Sequence, residues 1–294
     1  MLYELRQLTL HLLLIPLVFL LPWSLCFRIL RFLTRLGLAG NASDDEAWMR
    51  MQRHGFMQPR HLAVRQIRLH RLADLSDFYR SWRLRPAWLK RYWRVTGDPL
   101  PDPAQHPAVL FVTFHYGAGF LALRHFREHG LHMAALYRPP PRPPQGSRFD
   151  YHFFWWRLRS ILRLTRVRPI RVGDNQSELK MLVQRLVKDR QPVGFMPDIP
   201  TPRDQAIAAD FLGGKIYFAT GLLRLIAKYR VPVVLYTSVL DLEDGGRNVD
   251  LQVLYDYDSL EDLASAFAAC LEQAIRRDPT AWHLWAFADE ILIT

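Results

Sequence analysis

At 294 residues, 50% hydrophobic and 13% aromatic, the chain has ample material for a packed core, so disorder is excluded as the default state. A formal net charge of +11 and a pI near 10.0 call for an anionic counterpart: nucleic acid, phospholipid headgroups or an acidic carrier protein. Cys26 and Cys270 lie far from any Cys/His pair at metal-ligand spacing, which fits a reducing compartment and no structural metal.

From residue 7 to residue 27 there is no Asp, Glu, Lys or Arg. A helix of that length rises ~30 Å, about the thickness of a bilayer's hydrocarbon core. Arg28, Arg31 and Arg35 follow, interleaved with Ile29, Leu30, Phe32, Leu33 and Leu36, a basic amphipathic continuation that places the body of the protein on the cytoplasmic side. Pro16, Pro22 and His11 leave two placements open, a span and a kinked helix lying in the interface. Arg-rich sequence and the lack of a small-residue cleavage site argue against a signal peptide. Residues 1–40 are therefore expected to form a membrane anchor and residues 41–294 one α/β domain, entered through a helical lead-in at 41–100 that carries Val64, Ile67, Leu72, Leu75 and Phe78 at helical spacing.

From Ala108 the texture changes to short apolar runs at 108–114, 133–137, 193–197, 231–240 and 249–255, as in buried strands. Helical patterns fall near 117–129, 150–164, 175–189, 215–229 and 260–277, the last opened by an N-cap pattern of Ser259 with Asp262. PPPRPP at 139–144 reads as an extended loop. The fold class is α/β, a mixed sheet flanked by helices with an N-terminal membrane helix.

His115 directly follows the strand at 108–114 and precedes Gly117 and Gly119, so it should project from the carboxyl edge of the sheet, where α/β folds place ligands and where a general base belongs. The plainer alternative is a histidine that packs at a strand end. Arg138 ends another strand, Arg157 and Arg159 sit two apart on a helix, and Asp198 follows the strand at 193–197 near the same edge. A solvated basic face and a turn carboxylate are the plainer readings of those residues. There is no phosphate-binding glycine loop, nucleophile elbow, HExxH or dinucleotide fingerprint, so no cofactor and no metal is expected. Nucleic acid is disfavoured because the basic residues are dispersed and no recognition motif is present.

In order, YWRVTG at 92–97, HYG at 115–117, YRP at 137–139, RLRS at 157–160, MPD at 196–198, DFLGG at 210–214, VPVV at 231–234 and the set Pro279, Trp282 and Trp285 resemble the lauroyl/myristoyl acyltransferases of lipid A biosynthesis, within the wider glycerolipid-type superfamily. The resemblance implies a cofactor-free acyltransferase at the inner membrane. It would move a fatty acyl group from an acyl carrier protein or coenzyme A thioester to a hydroxyl of a lipid or glycolipid. His115 would be the base, Arg138, Arg157 and Arg159 would hold phosphates or the donor's anionic end, and Tyr116, Gly117 and Phe120 would line the substrate site, with Phe114 and Phe120 along an acyl groove. The family's HX4(D/E) acid is replaced here by Phe120. Three readings follow: Asp198 or Asp150 supplies the carboxylate, the reaction runs without it on an easier acceptor, or the protein is a non-catalytic lipid-binding relative.

Overall fold

The computed structural model describes residues 2–37, 40–41, 43–172 and 176–293. Two N-terminal helices, α1 (Leu2–Leu20) and α2 (Trp23–Arg35), break at Pro22, which caps the second. They are followed by α3 (Ser43–Arg53), α4 (Arg60–Arg80) and α5 (Pro86–Tyr92). The lead-in is not wholly helical: β1 (Trp93–Gly97) joins the sheet edge, with one buried residue and four exposed ones that give no apolar signal.

The main sheet then builds from β2 (Leu110–Val112), α6 (Ala122–Glu128), β3 (Ala134–Tyr137), α7 (Arg148–Thr165), β4 (Ile170–Arg171), α8 (Gln176–Val183) and β5 (Val193–Phe195). A hairpin of β6 (Ala206–Phe211) and β7 (Gly214–Ala219) intervenes before α9 (Thr220–Tyr229), β8 (Val233–Leu240), β9 (Arg247–Leu254) and α10 (Leu260–Arg277), and α11 (Ala288–Ile291) and β10 (Leu292–Ile293) end the chain. The seven strands lie in the order β1-β9-β8-β2-β5-β3-β4, and the sheet is mixed because β9 runs antiparallel to β8.

Alternation along β2 and β8 feeds two cores. Leu110, Val112, Val233 and Leu235 face the layer of α9 and α10, while Val109, Phe111, Val234 and Tyr236 face the layer of α4 and α6. Ser259 and Asp262 close a reciprocal cap at the start of α10, with bonds of 2.9 and 3.0 Å. The segment expected as one helix over 215–229 divides at Thr220. Ile216 and Phe218 alternate and pack as a strand, and only the residues after them take helical spacing. DFLGG is accordingly the tip of the β6–β7 hairpin, with Leu212 and Gly213 both at positive φ. Of the helix expected over 175–189, residue 175 lies outside the described residues; the rest is α8 followed by a wide helical turn at 184–188.

α4 links the N-terminal layer to the sheet. Its Asp77 and Arg247 of β9 form a fully buried bidentate pair at 2.6 and 2.8 Å.

Candidate active site

β2 and β5 are parallel neighbours, with Leu110 opposite Val193 and Val112 opposite Phe195. Three residues beyond the last pair, one chain reaches His115 and the other Asp198, and the Thr113 N–H donates to the Phe195 carbonyl at 3.1 Å to keep the two tails side by side. Register alone therefore sets these two residues at the same height on the carboxyl edge.

Their side chains meet: His115 Nδ1 lies 2.9 Å from Asp198 Oδ1, and the His115 backbone N–H donates to Oδ2 at 2.9 Å. The Trp282 indole N–H also donates to Oδ2, at 3.0 Å. Asp198 is 0% exposed, and all three of these bonds place donors on its carboxylate. A carboxylate only accepts, so Nδ1 carries the imidazole proton and Nε2 keeps its lone pair. The His115 side chain is 31% exposed, and Nε2 has no protein partner among the described residues. Burial works against the charged imidazolium, but the Asp198 charge and hydrogen bond outweigh it and hold His115 above its ordinary pKa.

The segment around Trp282 fastens the site from behind. The Ala281 carbonyl accepts from Gly117 N–H at 2.8 Å, the His283 N–H donates to the His115 carbonyl at 2.8 Å, and His283 Nε2 donates to the Gly117 carbonyl at 2.7 Å. Burial pushes His283 down to about 4, so it is neutral at pH 7 and serves here as a donor. On the other side of the same turn, Ala118 N–H donates to the Ser238 carbonyl at 2.8 Å. Gly117 sits at φ +63°, and a Cβ there would lie 1.9 Å from the Ser238 carbonyl oxygen, so only glycine fits between β8 and the C-terminal segment.

Trp282→Phe keeps the ring and deletes the N–H, leaving one lone pair of a buried carboxylate unsatisfied. A hydrogen bond to a charged group contributes roughly 1.5–3 kcal/mol. The expected outcome is about a tenfold loss in turnover with the acid limb of the pH–rate profile moved upward, because a less stabilised Asp198 anion pulls harder on the His115 proton. An unmoved acid limb in the folded variant would refute this role.

The remaining expected site residues are dispersed. Tyr116 is not at the substrate face: it is 3% exposed and its hydroxyl donates to the Ala274 carbonyl at 2.7 Å, a core role set by strand alternation beside His115. Gly117 has both backbone groups engaged, as above. Phe114 and Phe120 are buried in opposite core layers rather than lining an open groove. Phe120 packs on Phe78 and takes the Arg157 guanidinium over its ring at 5.1 Å.

Arg157 is already charge-paired: it grips Asp74 of α4 at 2.8 and 3.0 Å, and Asp74 holds its pKa up against the cost of burial. Both groups act on the His115 titration, Asp74 raising it and Arg157 lowering it. Arg159, about 200° around the helix from Arg157, is exposed on the outer face of α7. Arg138 is exposed at the end of β3, two strands and roughly 10 Å from His115 along the same rim. Asp150 bonds the Tyr3 hydroxyl at 3.0 Å and takes no part in the His115 pair. Sequence reasoning missed Asp74, His283 and the link from Trp282 to Asp198. For Asp74 a signal existed, since Asp74 and Asp77 stand three apart in a helix otherwise basic and apolar.

A histidine with an oriented proton, an open Nε2 and a buried carboxylate behind it can take a proton from a hydroxyl and return it to a leaving group. A family model described as bacterial lipid A biosynthesis acyltransferase matches residues 102–286, more than half of the chain, and spans His115, Asp198 and Trp282. Comparison with curated proteins finds no match. The chain belongs to the bacterial lipid A biosynthesis acyltransferase family.

Proposed function

We propose that the protein transfers a fatty acyl group from an acyl carrier protein or coenzyme A thioester to a hydroxyl of a lipid or glycolipid acceptor, on the cytoplasmic side of the inner membrane. The observation that carries this reading is the 2.9 Å bond from His115 to Asp198 with Nε2 left open. Nε2 removes the acceptor's hydroxyl proton as the oxygen attacks the thioester carbonyl. The tetrahedral intermediate collapses by breaking the carbon–sulfur bond, and the leaving thiolate takes the proton back from Nε2. Asp198 holds the tautomer and stabilises the transient imidazolium, as the aspartate of a serine-protease triad does. Asp198 thus takes the role that Phe120 vacates in HX4(D/E), and no covalent enzyme intermediate or cofactor is required. Arg138, on the same rim, is suited to an anionic group of donor or acceptor.

The phenylalanine at the motif's acidic position motivates the alternative, a lipid-binding relative without turnover. Radiolabelled acyl thioesters of several chain lengths, incubated with the membrane-embedded protein and a lipid extract of its host, separate the two. Labelled lipid is expected with the wild-type chain, and His115→Ala is expected to lower its rate by about 10² to 10⁴. Label equal in both proteins, or absent from both, sinks the enzyme reading.

A further inference from the structure

Beyond its first turns, which carry Glu4, Arg6 and Gln7, α1 is largely apolar on all sides yet meets protein on one side only. Leu10, Leu14 and Val18 are buried against α4 and its neighbours, while Leu5, Leu12 and Leu20 on other sides are 61%, 61% and 75% exposed. Three contacts fix its direction: Tyr3 near the Arg71 charge, His11 to Tyr79, and Phe19 beneath the Arg83 guanidinium at 5.5 Å. They run in chain order along α4 and just past its end, so α1 lies lengthwise along α4. A helix held that way cannot cross a bilayer without carrying α4 to the same depth, and α4 bears Arg65, Arg68 and Arg71. Charged side chains at hydrocarbon depth are among the costliest to place. In the plane of a leaflet the same helix buries its bare leucines at the acyl boundary and leaves α4 above it.

α2 returns antiparallel along α4, with Trp23 under Arg80 at one end and, at the other, Gly37 against the Arg68 guanidinium and Arg35 beside Arg65. Arg31, Arg35 and Arg65 thus gather with no carboxylate partner among the described residues. Partial burial and repulsion from Arg35 and Arg31 disfavour the Arg65 charge, a cost that a bound anion removes. Phe32 and Leu36 stand exposed on the same stretch. Cations flanked by bare apolar side chains fit a phosphate that carries acyl chains better than a free ion.

We infer that residues 2–36 hold the protein in the plane of one leaflet, and that Arg31, Arg35 and Arg65 form a site for the phosphate headgroup of an anionic phospholipid. This goes beyond the proposed reaction and does not depend on it, since no readout below involves turnover.

The full chain is mixed with phosphatidylcholine vesicles, with or without phosphatidylglycerol, and bound protein is separated by flotation. Phosphatidylglycerol should strengthen binding in a salt-sensitive manner. The variant R31Q/R35Q/R65Q should bind the anionic vesicles about 100-fold more weakly while keeping its residual affinity for phosphatidylcholine. Should the triple variant fail to fold, Arg35→Gln alone, at an exposed position, should cost about fivefold. Undiminished binding by either folded variant overturns the headgroup site. For the in-plane placement, fluorophores on Leu5→Cys, Leu12→Cys and Leu20→Cys are quenched by depth-graded spin-labelled lipids. All three should lie at one shallow depth, whereas a crossing helix would put position 12 near the midplane and positions 5 and 20 at opposite surfaces.

Discussion

Asp198→Asn is expected to reduce turnover by about four orders of magnitude, the loss seen when the corresponding aspartate of a serine-protease triad is changed. The size of the effect follows from the donors around the carboxylate. Oδ2 accepts from two N–H groups, those of His115 and Trp282, and Oδ1 from one, His115 Nδ1. An asparagine satisfies the pair of donors by turning its oxygen toward them, which points its NH₂ at His115 Nδ1. The ring must then accept at Nδ1 and carry its proton on Nε2, the tautomer that cannot act as a base.

The residual pH profile checks the cause. With Asp198 present the His115 pKa is raised, so the neutral, active form accumulates only above that raised value and the rate climbs through it. Removing the charge lets burial dominate, and the remaining activity should persist to lower pH. Turnover within tenfold of wild type, or an acid limb that stays in place, would contradict the assignment of Asp198. Nitrogen-detected NMR of His115 reports the tautomer and the titration without substrate.

Arg247→Met should destabilise the fold by roughly 3–5 kcal/mol, the usual consequence of leaving a buried charge without its partner. Asp77 and Arg247 side chains are both 0% exposed, and Asp74 on the next turn of α4 adds a like charge close to the orphaned carboxylate. The double variant Asp77→Leu/Arg247→Met should recover most of the loss, because two apolar residues of similar size need no partner. Denaturant melts of the single and double variants provide the measurement. A single variant as stable as the wild type would show that the pair does not tie α4 to β9. The pair matters for chemistry as well, since the helix it anchors presents Asp74 to Arg157 beside His115.

Part of this was legible in the residues themselves because it is local. The runs that became β2, β3, β5, β8 and β9 are short, apolar and bounded, α10 announces its start with Ser259 and Asp262, and His115 stands where a strand must end. β7 was legible in principle from the alternation of Ile216 and Phe218, but the helical spacing that follows it from Thr220 extends the same apolar pattern. β1 had no apolar pattern to show, being an edge strand that buries only Trp93.

The partnerships were decided by tertiary structure. The sequence placed Asp198 near the right edge; the parallel register of β2 and β5 brought it to His115 across 83 positions of chain. The resemblance made Tyr116 and Phe120 site residues, yet strand alternation and the turn at Gly117 send both side chains into the core. Arg157 read as a free cation, and only the packing of α7 on the α4 side of the sheet supplies Asp74 to neutralise it. Periodicity and caps are properties of neighbouring residues, whereas a charge pair across the fold depends on which surfaces the hydrophobic layers bring together, and that is settled only once the chain is packed.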